Sequence, residues 1–113
     1  MSEMFDGGSV ASYRRIMVMR GYTDLRMGIP SLVARLVAFH GVDPAEEDVL
    51  YLFCGRSARR LKGVVRQRGA FVLVTVLMDR GARSRWPRRG EGLAEVTPEE
   101  LRRILGRPPG PAG

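Results

Sequence analysis

The stretch VLYLFCGRSARRLKGVVRQRGAFVLVTVLM (residues 49–78) decides the fold. It contains three runs rich in β-branched and aromatic residues, VLYLF (49–53), RLKGVV (60–65) and AFVLVTVLM (70–78). Two short polar segments that contain glycine separate these runs, as in hairpin turns. Short strands joined by short turns predict an antiparallel meander.

A strand and a helix are predicted before the meander. The alternation of side chains in YRRIMVMR (13–20) predicts a strand that ends at Gly21. A helix is predicted from Pro30, which is acceptable at the first helical position, to about His40. Gly41 then supplies the C-terminal stop of this helix.

Two further elements are predicted after the meander. A short strand is expected around Arg83 to Trp86, where Pro87 would end it. The last helix carries the clearest signals, because Thr97 is an N-cap residue and Glu100 completes a capping box. The expected fold is therefore α+β, in the order β-α-β-β-β-(β)-α, with a mostly antiparallel sheet of four to five strands and two helices covering one face.

The length of 113 residues predicts one domain with a single hydrophobic core. Residues 1–12 are polar and aperiodic, and we expect a flexible N-terminus there. Residues 13–106 are expected to form the single α+β domain. Residues 107–113, RPPGPAG, are expected to be a flexible Pro/Gly tail.

The net charge of +7 and the pI of about 10.9 favour an anionic partner. Nucleic acid is the first expectation, an acidic protein surface the second and anionic lipid the third. No signal peptide or membrane-length apolar run is visible, so we expect a cytoplasmic protein, nucleoid-associated if it binds DNA, without a membrane partner. The chain has one cysteine and one histidine, so no disulfide, zinc site or other cofactor is expected. The acidic cluster at 43–48 is interpreted as an exposed loop.

Basic residues are concentrated between Arg56 and Arg89, a segment that contains eleven of them and a single acidic residue, Asp79. Uncompensated charge of this density repels itself, which favours a nucleic-acid or acidic-partner surface over plain solvated turns. In a meander these residues fall at both hairpin ends and beyond the long strand, so they need not form one patch. Trp86 is open to two interpretations, a base-stacking residue or, preferred, a core anchor. The candidate binding residues are Arg56, Arg59, Arg60, Lys62, Arg66, Arg68, Arg80, Arg85 and Trp86.

Cys54 and Arg60 have the spacing of cysteine-dependent phosphatases, with five residues between them. Such a loop needs a helix to begin at or just after the arginine, whereas Gly63 and its β-branched neighbours predict a strand. Cys54 is therefore interpreted as a small residue at a strand end, although the arginines around it could lower its pKa and make it reactive. No catalytic residue is assigned, and the protein is predicted not to be an enzyme.

An ordered series of motifs carries a family resemblance. The motifs are GYTDLR (21–26), DP (43–44), LYLFCGR (50–56), RRLK (59–62), GAFVL (69–73), DRG (79–81), RWP (85–87) and VTP (96–98). Over about residues 14–105 the chain resembles the small accessory protein of bacterial insertion-sequence family sixty-six, a TnpB type distinct from the RNA-guided nuclease of that symbol. Besides basic residues already named, the motif positions that match are Thr23, Asp24, Arg26, Gly55, Gly81 and Pro87.

The resemblance implies association with transposition and a partner that is DNA, the large transposase of the same element, or both. Our hypothesis is a non-enzymatic accessory protein that presents arginine-rich hairpins to DNA at the element ends or to a transposase–DNA complex. The alternatives are a protein-only adaptor that binds an acidic surface of the transposase, and the cysteine-dependent phosphatase.

Overall fold

The computed structural model of the chain describes residues 13–79 and 81–106. Five strands and two helices lie within these residues. The expected flexible ends, residues 1–12 and 107–113, lie outside the described residues. The elements are β1 (Arg15–Met19), α1 (Ile29–His40), β2 (Val49–Cys54), β3 (Arg60–Gln67), β4 (Ala70–Leu77), β5 (Leu93–Val96) and α2 (Pro98–Ile104).

The strands form one sheet in the order β4-β3-β2-β1-β5. The predicted meander is confirmed, since β2, β3 and β4 pair antiparallel in sequence order. Arg68 and Gly69 both have positive φ, 53° and 76°, as a two-residue type I′ hairpin turn requires. The α+β class and the strand number are also confirmed, but β1 pairs parallel to β2, which makes the sheet mixed.

The fifth strand lies at Leu93–Val96, so its predicted position around Arg83 to Trp86 is wrong. β5 pairs antiparallel with β1 at the edge of the sheet. The backbone near residue 84 instead bonds to irregular partners: the Ser84 N–H donates to the Ala58 carbonyl at 2.7 Å, and the Arg85 N–H to the Ile104 carbonyl at 2.7 Å. The segment is therefore a connector, because its backbone partners lie outside the sheet.

Helix α1 begins at Ile29, one residue before the predicted Pro30, and ends at the predicted His40, and both helices have the predicted end signals. Gly41 caps α1 in the left-handed conformation, with φ of 65°. At the start of α2, the Glu100 N–H donates to Thr97 Oγ1 at 3.0 Å, and the Thr97 N–H donates to Glu100 Oε1 at 2.8 Å. This reciprocal pair is the predicted capping box, and its bonds to the carboxylate lower the pKa of Glu100.

The two helices cover opposite faces of the sheet, which corrects the expectation that they share one face. Leu32 and Leu36 of α1 pack in the cluster that contains Val49, Tyr51 and Phe53 of β2. The alternate β2 residues, Leu50, Leu52 and Cys54, pack in a second cluster with Leu101 of α2. All six residues of β2 are buried. A strand that is apolar on both faces needs cover on both, as is typical of strands in parallel pairs.

Helix α1 leaves part of its own face of the sheet open. On β3 and β4 this face carries Lys62, which is half-buried, and Thr75, its exposed cross-strand partner. Leu73 and Leu77 on the same side are 42% and 64% exposed. The open area adjoins the loop that follows β1, and the two together form the candidate site.

Candidate nucleic-acid interface

Two loops meet at one edge of the sheet, where the parallel strands β1 and β2 both end. Residues 20–28 follow β1 and residues 55–59 follow β2. The Thr23 N–H donates to the Cys54 carbonyl at 2.8 Å, which ties the first loop to the end of β2. Crevices outside the carboxyl ends of parallel strands are common ligand sites in α/β sheets.

Gly55 suits the point where the two loops touch. A Cβ atom at this position would lie 3.1 Å from Leu25 Cδ1, tighter than nine in ten contacts of that kind, so the leucine would have to shift by a few tenths of an ångström. The glycine therefore lets the β2–β3 hairpin approach the loop after β1. This contact gives a physical reason for one of the motif glycines.

A groove of about 840 Å³ lies between these loops and the open part of β3 and β4. Four cations line it against one carboxylate, Asp24. Arg56 and Arg60 are exposed, and the half-buried Lys62 donates from Nζ to the Met27 carbonyl at 3.5 Å. The four cations are Arg26, Arg56, Arg60 and Lys62.

Asp24 and Arg26 form a local ion pair at the rim of the groove. Arg26 Nε lies 3.0 Å from Asp24 Oδ1 and Arg26 Nη2 lies 2.9 Å from Oδ2, so the contact is bidentate. These bonds, with the backbone N–H of Arg26, lower the pKa of Asp24 to about 2. Asp24 is thus charged at neutral pH and offsets the charge of Arg26.

The other three groove cations are not offset in this way. Within the described part of the chain, no ion pair joins Arg56, Arg60 or Lys62 to a carboxylate. Their side chains come from one hairpin, and the loop after β1 closes the other side. The groove is therefore a concentrated positive surface with two apolar walls, Leu25 and Leu77.

The structure separates the remaining predicted arginines from this groove. Arg66 packs over the Phe71 ring at 4.8 Å from its centroid, and Arg68 lies in the β3–β4 turn. Arg60 and Arg66 are six residues apart on β3, or roughly 20 Å at about 3.3 Å per residue. Arg85 is exposed in the connector near the end of α2.

Arg59 and Arg80 complete the predicted set. Arg59 is half-buried at the start of the β3 hairpin, with its Nε buried and without a hydrogen-bond partner in the described residues, and it does not line the groove. Arg80 lies outside the described residues. Of the nine candidates, the structure therefore brings together Arg56, Arg60 and Lys62.

Comparison with known proteins identifies the family. A family model described as "IS66 Orf2 like protein" matches residues 14–107. The chain belongs to the IS66 Orf2-like family. A relative from Sinorhizobium fredii (strain NBRC 101917 / NGR234), "Uncharacterized protein y4hO", is 33% identical over 91 residues, which are 80% of this chain and 77% of that protein. No solved structure matches the chain.

Family membership confirms the resemblance seen in the motifs and indicates an accessory role in transposition. Several motif residues now have positions. Thr23, Asp24, Arg26 and Gly55 line the groove. The outlying Gly81 is exposed, with φ of 81°.

Two more motif residues of this IS66 Orf2-like chain bond to the backbone at the end of β1 and the start of the loop that lines the groove. Trp86 is 5% exposed, and its Nε1 donates to the Met19 carbonyl at 2.9 Å. The Pro87 carbonyl accepts a bond from the Gly21 N–H at 2.9 Å. Trp86 therefore packs in the core, with its ring buried and its N–H bonded at the end of β1, which favours the core-anchor interpretation over base stacking.

Cys54 does not have the surroundings of a nucleophile. The residue is fully buried, with Sγ 3.7 Å from Ser84 Oγ. Burial raises the pKa of the Cys54 thiol, so the expectation that nearby arginines lower it is wrong. Arg60 begins a strand rather than a helix, so the phosphatase alternative also lacks its helix N-terminus.

Some groove residues escaped the sequence-based prediction. Arg26 was noted as a motif residue but not as a binding residue, and Thr75, Tyr22 and Leu77 were not singled out. Thr75 lies opposite Lys62. A signal for Thr75 does exist, because the two-residue turn between β3 and β4 sets the register of every pair along the hairpin.

The acidic cluster at 43–48 is engaged in other contacts. Glu46 pairs with Arg14 at 2.6 Å, and Glu47 accepts a bond from the Gly69 N–H at 3.1 Å. No three metal-ligating side chains converge anywhere in residues 13–79 and 81–106. Over the same ranges, neither helix is both long and apolar enough to cross a membrane.

Proposed function

We propose that the groove binds the phosphate backbone of DNA, and that the protein assists transposition by holding DNA at the element ends, alone or within a transposase–DNA complex. The observation that carries this proposal is the convergence of Arg56, Arg60 and Lys62 on one open groove, where none of them forms an ion pair with a carboxylate of the described residues. The role is binding and positioning, and it needs no bond-making step by this chain.

The chemistry of the groove suits phosphate oxygens. Arginine donates in a planar fork that matches a phosphate bidentately, and lysine adds a point charge. The Asp24–Arg26 pair holds one guanidinium at the rim, where the Arg26 side chain remains 91% exposed. Asp24 also repels phosphate, so the deepest contacts are assigned to the three cations of the hairpin.

Fluorescence anisotropy with labelled element-end DNA tests direct binding. Three to four phosphate contacts give a slope of log affinity against log salt of about −3, hence a loss of roughly 40- to 150-fold between 50 and 200 mM salt. Replacing Arg56 and Arg60 together with glutamine should weaken binding and reduce the steepness of that slope by about 2. The double change R66Q and R68Q is the matched control, since it removes the same charge at the far end of β3.

Equal losses in the two double variants would contradict the groove and indicate diffuse attraction to a basic protein. Undetectable binding of the unaltered protein at low salt would remove direct DNA contact altogether. In either case, the protein-only adaptor becomes the better explanation.

One observation favours the adaptor as the second candidate. The groove has apolar walls, including Leu77, which is 64% exposed. A phosphate backbone makes no use of an exposed leucine, whereas an acidic protein surface with apolar neighbours does. Co-purification with the transposase that survives nuclease treatment, and is lost in the Arg56 and Arg60 double variant, would support this version.

A further inference from the structure

Strand β4 is the outermost strand of the sheet on the β3 side. Its eight residues, AFVLVTVL, contain no charge, no proline and no glycine. Every residue pairs with β3 in an unbroken register from Gln67↔Ala70 to Arg60↔Leu77. The strand therefore offers a long, regular outer edge whose backbone groups pair with no other strand of the described residues.

The phase of the ladder shows which groups face outward. The Met78 N–H donates to the Arg59 carbonyl at 2.8 Å, which marks 59 and 78 as a hydrogen-bonded pair. In an antiparallel ladder such pairs recur every two residues, so the even-numbered residues of β4 bond to β3. The backbone N–H and C=O groups of Phe71, Leu73, Thr75 and Leu77 consequently face away from the sheet.

The other edge of the sheet is protected and β4 is not. β5 has only four residues and carries Glu95, which pairs with Arg15 at 3.2 Å. Short edges, charges, bulges and prolines are the usual means by which proteins prevent a further strand from adding. β4 has none of them, and Leu73 and Leu77 add exposed apolar side chains beside the open backbone.

We propose that β4 pairs antiparallel with β4 of a second copy of this chain, about a two-fold axis that passes Val74. In this register Phe71 of one copy lies opposite Leu77 of the other, and Leu73 opposite Thr75. Only this class of register, odd residue against odd residue, pairs all the outward backbone groups of both strands. An interface of this kind is isologous and closes as a dimer.

The charges at the ends of β4 agree with this pairing. Asp79, exposed just beyond the strand, falls opposite Gly69 of the second copy and next to its Arg68. The two-fold arrangement produces that contact twice. A parallel pairing would instead place Arg68 beside Arg68, which like-charge repulsion opposes.

The pairing also fixes how the two basic grooves are arranged. A two-fold axis perpendicular to the joined sheet leaves both grooves on the same face. Three strand spacings of about 4.8 Å separate β3 of one copy from β3 of the other. Thr75, which lines the groove of one copy, lies beside Leu73 of the second copy, so each groove gains a wall from its neighbour.

Sedimentation measures the mass, and the expected result is a species of twice the 12.6 kDa of one chain. Leu73→Lys should give the monomer, because it puts a charge at the centre of the joined edge. Ala34→Lys, at an exposed position of α1, is the control with the same charge change and should remain dimeric. Leu73→Pro is a second variant that should also give the monomer, because proline removes an outward N–H that does not bond to β3.

Amide hydrogen exchange tests the register in the unaltered protein. In the dimer the amides of Leu73 and Thr75 should be as protected as that of Val74. In Leu73→Lys the protection at Thr75 should fall, while Val74 stays protected because it bonds to β3. A monomer at every soluble concentration, a dimer that survives Leu73→Lys, or a dimer lost equally in Ala34→Lys would each overturn the proposal.

Salt separates this proposal from the DNA-binding one. Each chain carries a net charge of +7, so added salt screens the repulsion between copies and should strengthen dimerisation. The same salt should weaken binding to DNA. The opposite responses to salt therefore distinguish a failure of dimerisation from a failure of DNA binding.

Discussion

Replacing Trp86 with phenylalanine distinguishes a structural from a nucleic-acid role for the one tryptophan of the chain. The side chain is 5% exposed in the cluster that contains Ile16, Val18 and Leu101. Phenylalanine retains most of the apolar contact but lacks the N–H that donates to the Met19 carbonyl at 2.9 Å. Leaving that carbonyl without its partner should lower the free energy of unfolding by about 1–3 kcal/mol.

The larger change Trp86→Ala adds a cavity and should lower the free energy of unfolding by about 3–5 kcal/mol. That is a large part of the roughly 5–15 kcal/mol available to a small domain. Urea denaturation followed by far-UV circular dichroism measures both variants, with Phe39→Leu as the control. Phe39 is 72% exposed, so its replacement should shift stability by less than about 0.5 kcal/mol.

The outcome that refutes this reasoning is specific. If Trp86→Phe unfolds at the same urea concentration as the unaltered protein but binds element-end DNA at least about tenfold more weakly, the ring contacts a base and not the core. If both stability and DNA binding fall, the binding of Trp86→Phe should recover at low temperature or in stabilising osmolyte, because the loop that carries the groove depends on the buried ring.

Three other predictions follow from single contacts. Cys54 should react slowly with iodoacetamide in the native protein at neutral pH and rapidly in denaturant, because burial raises its pKa; fast native alkylation would contradict the buried position. Thr97→Ala should lower the free energy of unfolding by about 1 kcal/mol through loss of the N-cap bond, measured by urea denaturation; an unchanged midpoint would mean that α2 contributes little. The pKa of Asp24 is about 2, below its unfolded value, so the Asp24–Arg26 pair should stabilise the fold fully above about pH 4 and lose its effect as the pH falls toward 2. Asp24→Asn should remove that portion of the acid dependence of stability, as measured by thermal unfolding across this pH range. An identical pH profile in the variant would show that the pair adds nothing to stability.

Local signals predicted many of the elements of this fold. The boundaries of α1 followed from Pro30 and Gly41, and the capping box of α2 from Thr97 and Glu100. Each signal acts through residues within four positions along the chain, so neighbouring sequence is enough to predict it. The meander was predictable for the same reason, since tight turns leave consecutive strands little choice but to pair.

Features that depend on distant residues were predicted less well. The fifth strand was placed near residue 84, because an extended segment that ends at a proline resembles a strand whether or not it pairs with a sheet edge. Trp86 was left with two interpretations for a similar reason. Its partner, the Met19 carbonyl, is 67 residues away.

The candidate site was predicted in part. The sequence placed Arg56, Arg60 and Lys62 on one hairpin, and the structure keeps them together. The binding residues predicted from the sequence also include Arg66 and Arg68, although a strand roughly 20 Å long separates them from the groove. The addition of Arg26 required the contact between the β1 loop and the end of β2, which no local pattern reports.

The sequence by itself determined the charge, the α+β class, the family and the order of most elements, because composition and short-range pattern encode them. Tertiary structure alone decided that β1 runs parallel to β2, that the helices lie on opposite faces, and that Trp86 is buried. The physical reason is the six-residue strand β2, apolar on both faces. Both faces of β2 can be buried only by elements that are distant in the chain. The resulting arrangement places two loops, some 30 residues apart in the chain, side by side around one basic groove.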